Sequence, residues 1–187
     1  MIRIGIIIGT TRQGRFGDRP AAWIHDIARA RGDMAAEIID LRDHPLPLFD
    51  EPAAPARMPP RSDAAWRWNR TLSALDGFVF ITAEYNHGIS GALKNALDHA
   101  YPEFDRKPAA CVGYGGLGGT RAVEQLRLVA IELGMAPLRE AVHITRDPIL
   151  AVLRDGCTLA AFEELNRAAT AMLDALAWWA RLLKAGR

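Results

Sequence analysis

Apolar positions along the chain fall into two patterns, short continuous runs and stripes with helical spacing. Continuous runs are typical of parallel strands that are buried on both faces. They predict strands at Ile2–Ile8, Glu37–Leu41, Gly77–Thr82, Pro108–Tyr114 and Ala141–Thr145. The stripes predict helices at Asp18–Arg31, Ser62–Leu75, Gly91–Ala100, Thr120–Leu133 and Leu159–Leu183. Strands and helices therefore alternate along the chain.

This alternation predicts right-handed crossovers and a parallel sheet that helices cover on both faces. Five strands in this arrangement predict an α/β three-layer sandwich of the flavodoxin-like type, with strand order 2-1-3-4-5. Neither an internal repeat nor a linker divides the chain, so residues 1–187 are expected to form a single domain. Ligands of such sheets bind at the carboxyl ends of the strands, next to the first strand.

Helix-capping residues and prolines support several of these boundaries. Ser90 is placed to cap the helix that begins at Gly91. Gly134 is placed to end the helix predicted at Thr120–Leu133. Six of the 11 prolines lie between Arg42 and Pro60, which predicts an extended loop because proline lacks a backbone donor.

The last helix carries an apolar stripe that is expected to face the core rather than a dimer partner. Trp178 and Trp179 are neighbours and cannot share that face, so one of them is expected to be exposed or at an interface. The stripe consists of Phe162, Leu165, Ala169, Met172, Leu176, Trp179 and Leu183.

Composition excludes several classes of protein. The chain is 50% hydrophobic and 24% charged, as in soluble globular domains. Its 23 basic and 22 acidic residues leave a net charge of +1, which argues against a nucleic-acid binder. The 2 cysteines, Cys111 and Cys157, are too few and too far apart for a zinc or iron–sulfur site, and no metal is expected. The opening apolar run is too short for a signal peptide or a membrane span, so a cytoplasmic protein without a membrane partner is expected.

The loop after the first strand combines glycines, hydroxyl groups and two arginines immediately before a helix. It runs from Gly9 to Gly17 and includes Arg12 and Arg15. Unpaired N–H groups at a helix start, together with guanidinium groups, favour a phosphate. The sequence is neither a Walker A motif nor Gly-x-Gly-x-x-Gly, so a terminal phosphate is favoured over a dinucleotide pyrophosphate. A solvated turn with two surface arginines is the alternative.

The loops after the third and fourth strands carry the other candidate chemistry. Tyr85 and Asn86 offer a flat ring and an amide, which suit a planar heteroaromatic ligand, whereas His87 alone is expected to be a surface histidine. Lys94 and Asp98 are expected to form an ion pair on the next helix. The run Tyr114–Thr120 has four glycines in five positions, which allow close backbone approach to a ligand, with a flexible hinge as the alternative.

Taken together, the three loops resemble the NADPH-dependent FMN reductase family, which includes quinone, azo-dye and chromate reductases. The resemblance covers roughly residues 1 to 147 and is carried by Gly9–Arg15, Glu84–Asp98 and Tyr114–Gly119. The family commonly has Ser-x-Arg where this chain has Thr10-Thr11-Arg12. It commonly has proline where this chain has Ala83 and Gly91.

The resemblance implies an FMN site and a set of binding residues. Around the FMN phosphate it places Thr10, Thr11, Arg12, Arg15, Phe16 and Gly17. Along the ribityl chain and the isoalloxazine ring it places Glu84, Tyr85, Asn86, His87 and Gly88. At the far edge of the ring it places Gly115, Gly116, Leu117 and Gly118. It also implies a homodimer or homotetramer with the flavin near the subunit interface.

The expected activity is hydride transfer from NADPH, or from NADH, through bound FMN to a small-molecule acceptor such as a quinone, an azo compound or free flavin. The cofactor carries this chemistry, so no catalytic side chain is nominated. Two alternatives remain: a flavodoxin-type electron carrier, and a redox-sensing flavin protein without its own turnover. The sequence leaves open the natural acceptor, the choice of nicotinamide nucleotide, and whether FMN is a retained cofactor or a substrate.

Overall fold

A computed structural model describes residues 1–187. Five parallel strands form one sheet in the order β2-β1-β3-β4-β5. The strands are β1 (Ile2–Ile8), β2 (Met34–Asp40), β3 (Gly77–Ala83), β4 (Pro108–Tyr114) and β5 (Ala136–Ile144). The helices are α1 (Asp18–Arg31), α2 (Asp63–Ser73), α3 (Gly91–Asp98), α4 (Thr120–Glu132), α5 (Arg146–Arg154) and α6 (Glu163–Ala185). The predicted flavodoxin-like sheet order is confirmed.

Alternate residues of the central strands supply two separate cores. In β1, Ile4 and Ile6 face α1 and α6, whereas Ile7 faces α2, α3 and α4. All seven residues of β3 and of β4 are buried, as expected for strands covered on both faces. The result is the predicted three-layer arrangement. None of the helices is both long enough and apolar enough to cross a membrane.

The edges of the sheet differ from the sequence prediction. β2 begins at Met34 instead of Glu37, and β5 begins at Ala136 instead of Ala141. Both are edge strands with exposed or half-buried positions, so polar residues such as Arg139 interrupt the apolar run without ending the strand. Helix α5 was not predicted. None of its residues is fully buried, and only Ile149 and Val152 pack against the core from half-buried positions, so its apolar pattern is weak.

The remaining boundaries agree closely with the prediction. Ser90 caps α3 by accepting a hydrogen bond from the Leu93 backbone N–H at 3.0 Å, as predicted. Gly134 follows α4 with a φ of 71°, the left-handed conformation expected there. The last helix is an exception: it starts at Glu163 instead of Leu159, because a short 3₁₀ turn occupies Leu159–Ala161, and it ends at Ala185 instead of Leu183. The proline-rich segment forms a loop beyond a 3₁₀ turn at Leu41–Asp43.

Candidate functional site

The three candidate loops meet at the carboxyl edge of the sheet, because β1, β3 and β4 are adjacent and parallel. Side chains tie them together directly. The Ser90 hydroxyl donates to the Gly9 carbonyl, and Thr10 Oγ1 lies 3.2 Å from the Tyr114 hydroxyl oxygen. The Glu84 backbone N–H donates to the Tyr114 carbonyl at 3.1 Å. The loops therefore form one continuous surface.

The first loop presents backbone donors. None of the five successive N–H groups of residues 10–14 has an acceptor within the protein. Thr11 and Arg12 are exposed, and the Arg12 guanidinium has no hydrogen-bonding partner. Free N–H groups in a row beside a guanidinium are suited to bind an anion.

The other residues predicted in this loop are buried. Phe16 packs against Tyr114 with ring centroids 5.4 Å apart, and Gly17 lies close to the Tyr114 hydroxyl. Arg15 has a side chain only 2% exposed, and it forms ion pairs with Asp18 and Asp40. Burial lowers the pKa of Arg15, but its hydrogen bonds to Asp40 and Asp18 outweigh that effect and raise the pKa above its ordinary value.

The second loop is a tight turn. Tyr85 and Gly88 exchange two backbone hydrogen bonds of 2.9 and 3.0 Å. Asn86 and His87 between them have positive φ values of 50° and 71°, as in a two-residue turn of type I′. Both are exposed, their N–H groups have no protein acceptor, and Tyr85 is 36% exposed. The turn therefore presents an aromatic surface and two donors together.

The third loop approaches the second through Glu84. The Glu84 carboxylate accepts from the Arg121 backbone N–H at 3.1 Å and from Arg121 Nη1 at 2.5 Å. Gly118 and Gly119 both adopt positive φ values, whereas Gly116 and Leu117 are exposed at the tip. The glycines thus let the chain turn sharply and leave the N–H groups of residues 116 and 117 without protein acceptors.

The nearby Lys94 and Asp98 form the predicted ion pair, with 2.8 Å between nitrogen and oxygen. Asn95 has a structural role, since its amide donates to the Pro47 carbonyl and accepts from the Phe49 N–H. These contacts hold the proline-rich loop against α3.

Cavity size alone does not locate this site. The largest cavity, about 670 Å³, lies at the opposite, amino edge of the sheet among charged residues such as Asp76, Lys107 and Arg187. A smaller cavity of about 200 Å³ borders Thr11. The exposed tips of the three loops lie side by side at the carboxyl edge of the sheet, and the region between them is the candidate cleft.

The model of the NADPH-dependent FMN reductase family matches residues 2–148. A protein of Nectria sp named NAD(P)H-dependent FMN reductase is 37% identical over 132 residues, 67% of this chain and 66% of the relative. A protein of the same name from Schizosaccharomyces pombe is 36% identical over 152 residues, 79% of this chain and 76% of the relative. The chain belongs to the NADPH-dependent FMN reductase family.

Membership of the FMN reductase family makes the chain an NAD(P)H-dependent oxidoreductase that uses FMN. The fold agrees with this family assignment. The structure of FerB, a flavoenzyme NAD(P)H:(acceptor) oxidoreductase from Paracoccus denitrificans, superimposes with a TM-score of 0.74 at 22% identity. The alignment covers 97% of this chain and 98% of FerB.

Several residues around the site were not nominated from the sequence. Asp40 ends β2, Arg42 lies two residues further on, and both contact the first loop. Gln125 of α4 accepts from the Ile89 N–H at 2.7 Å, and His143 Nδ1 lies 3.0 Å from the Gly118 carbonyl oxygen. The only sequence signal for them is a polar residue near the end of a strand or within a helix. That signal is too common to select them before the topology is known.

Proposed function

We propose that FMN binds in the cleft between the three loops, with its phosphate on the first loop and its ring between the second and the third. The observation that carries this proposal is the row of five unpaired N–H groups at residues 10–14, next to the free guanidinium of Arg12. Backbone donors of this kind, at the carboxyl end of the first strand, suit a phosphate monoester.

The second and third loops fit the ring portion. The exposed Tyr85 ring offers stacking area, and the N–H groups of Asn86, His87 and Leu117 offer donors to a polar edge. Bound FMN supplies hydride transfer between a nicotinamide and an oxidised acceptor. The chain binds and orients these partners, and no side chain is required as an acid or base.

The proposed acceptor is a small oxidised molecule such as a quinone, an azo compound or free flavin, and the proposed donor is NADPH, with NADH as a second donor. The exposure of residues 11, 12, 85–87, 116 and 117 supports this proposal, because donor and acceptor can reach the same face in turn. Such sharing predicts ping-pong kinetics.

The decisive experiment is a flavin titration followed by turnover. The apoprotein should bind FMN more tightly than riboflavin, and the loaded protein should oxidise NADPH in the presence of quinones, azo dyes or free FMN. Flavin binding without turnover would favour an electron carrier or a redox sensor. Equal affinity for riboflavin and FMN would exclude a phosphate site in the first loop. Retention of FMN on desalting would argue against FMN as a substrate that leaves the protein.

We also propose that the chain forms a homodimer or a homotetramer. Two separate helix faces expose large apolar side chains: Leu128 and Ile131 on α4 are 70% and 60% exposed, and Trp178 and Leu182 on α6 are 58% and 53% exposed. One such face is sufficient for a dimer, and two faces permit a tetramer. Light scattering of Leu128→Lys and Trp178→Lys variants would show which face assembles, and a monomeric wild-type protein would exclude both.

The proposed location is the cytoplasm. Cys111 and Cys157 are both free thiols, which are typical of a reducing compartment. Fractionation of cells that produce the protein would test this location.

A further inference from the structure

The backbone of the first loop is held by two arginine side chains. Arg15 Nη1 donates to the Thr10 carbonyl, Arg42 Nε donates to the Thr11 carbonyl at 3.4 Å, and Arg42 Nη2 donates to the Arg12 carbonyl at 2.6 Å. Three successive carbonyl groups of one loop are thus directed toward guanidinium groups.

This arrangement fixes the direction of the N–H groups that follow. In a trans peptide unit the carbonyl and the next N–H point in opposite directions, and the chain contains no cis peptide bond. The N–H groups of Thr11, Arg12 and Gln13 therefore point away from Arg15 and Arg42. They are three of the five N–H groups that lack a protein acceptor.

The Arg15 guanidinium has no donor left for a ligand. A guanidinium carries five N–H groups. Asp18 accepts from Arg15 Nε and from one Nη2 hydrogen. Asp40 accepts from the other Nη2 hydrogen and from one Nη1 hydrogen. The Thr10 carbonyl accepts from the last Nη1 hydrogen. Its charge is also compensated by two carboxylates, so it cannot act as a phosphate fork.

Asp40 connects the two arginines. It is the last residue of β2, where it binds the Arg15 guanidinium and accepts from the Arg42 backbone N–H at 2.9 Å. Burial raises the pKa of Asp40, but the hydrogen bond from Arg15 and that from Arg42 outweigh burial and hold the pKa below its ordinary value. The carboxylate thus stays charged, and the end of the neighbouring strand anchors the loop.

We propose that Arg15 and Arg42 are positioning residues for the FMN phosphate. They aim the N–H groups of Thr11, Arg12 and Gln13 at the phosphate without touching it, and the direct cationic contact is left to Arg12. This inference rests on the proposed FMN site.

Arg42 is the residue to test, because it is exposed and its loss leaves no buried charge unpaired, in contrast to Arg15. Arg42→Ala should weaken FMN binding about tenfold, as expected from the loss of one or two hydrogen bonds, with riboflavin binding unchanged within about twofold. Arg57→Ala is the matched control: Arg57 is exposed in the same proline-rich loop, its side chain has no partner, and its removal changes the net charge equally.

Arg42→Gln separates positioning from charge. The amide nitrogen of glutamine lies the same number of bonds from the backbone as Arg42 Nε, so it can donate to the Thr11 carbonyl without a positive charge. We expect Arg42→Gln to recover a clear part of the affinity lost in Arg42→Ala. Flavin fluorescence titration of the apoproteins, with FMN and riboflavin in parallel, gives all of these values.

Three results would overturn the inference: unchanged FMN affinity in Arg42→Ala, equal losses for FMN and riboflavin, or an Arg42→Gln variant no better than Arg42→Ala. The last result would make Arg42 a charge contact. Failure of the wild-type apoprotein to bind FMN at all would overturn the proposed function, and the inference with it.

Discussion

Arg12 and Arg15 show how two identical side chains three positions apart take different roles. Arg15 has all of its donors occupied, whereas Arg12 has none occupied. From the sequence both are phosphate candidates, since their difference depends on Asp40, which lies on another strand. Residue type predicts the chemistry of the first loop, but the assignment of each guanidinium requires the tertiary contacts.

Removal of the Arg12 guanidinium should therefore weaken FMN binding directly. Hydrogen bonds to a charged group contribute about 1.5–3 kcal/mol, so Arg12→Ala should lose roughly that much in FMN affinity by fluorescence titration. Riboflavin, which lacks the phosphate, serves as the control ligand. The same loss for both flavins, or no loss for FMN, would contradict a phosphate contact by Arg12.

Gly119 is expected to tolerate no side chain. Its φ is +68°, and a Cβ there would lie 2.5 Å from the Tyr114 backbone nitrogen. Backbone strain of this kind costs about 1–3 kcal/mol before the clash is counted. Gly119→Ala should lower the urea midpoint markedly, whereas Gly116→Ala, with nothing within 4 Å of its Cβ, should leave it nearly unchanged. Equal midpoints for the two variants would show that the loop can shift to accept the methyl group.

At the scale of the elements, Glu84 joins the loop after β3 to the start of α4. That helix has no side-chain cap of its own, because its N-cap residue is Gly119. The Glu84 carboxylate supplies the missing acceptor from another loop, and its negative charge suits the helix N-terminus.

Glu84→Gln keeps an acceptor but loses the charge, and we expect it to lower the free energy of unfolding by about 1 kcal/mol. Glu124→Gln on the same helix is the matched control, because Glu124 is 64% exposed and its pair with Arg127 should contribute less than about 0.5 kcal/mol. Denaturant unfolding measures both variants. Equal effects would show that the Glu84 pair behaves as an ordinary surface ion pair.

The elements also show where sequence patterns suffice. Strands β1 and β4 and helix α1 have the bounds that the apolar pattern predicts, because each is continuously apolar or clearly amphipathic. The errors lie at the two edge strands and at α5, where half-exposed positions admit charged residues. The site follows the same rule: the loops were predictable because they follow buried strands, whereas Asp40 and Arg42 were not, since they lie at the end of an edge strand.

At the scale of the whole molecule, the candidate binding site and a cluster of ion pairs around Asp76 lie at opposite edges of the sheet. The candidate FMN site occupies the carboxyl edge. At the amino edge, the Asp76 carboxylate binds the first strand and the end of the chain. Its Oδ2 accepts from the Arg3 N–H at 2.9 Å and from Lys184 Nζ at 2.8 Å. Its Oδ1 accepts from Arg187 Nη2 at 3.0 Å. The first strand and the end of α6 are thus fastened to the start of β3.

These hydrogen bonds of Asp76 should make the free energy of unfolding depend on pH in the acid range. Burial raises the pKa of Asp76, but the hydrogen bonds from Lys184 and the Arg3 backbone, with the Arg187 charge, outweigh it and hold the pKa below its ordinary value. The unfolded chain therefore takes up this proton first as the pH falls below about 4–5. The stabilisation by Asp76 is complete above that pH and is lost as the pH falls through the depressed pKa of the folded state.

Asp76→Asn should accordingly cost roughly 2 kcal/mol of unfolding free energy at pH 7, and the difference from wild type should shrink toward pH 3. Asp155→Asn, at an exposed position outside the cleft, is the control and should show no such pH-dependent difference. Urea unfolding between pH 7 and pH 3 measures both. Because Asp76 lies at the edge opposite the cleft, Asp76→Asn should keep wild-type FMN affinity at pH 7. A parallel loss of FMN binding would show that the two edges are coupled through the sheet.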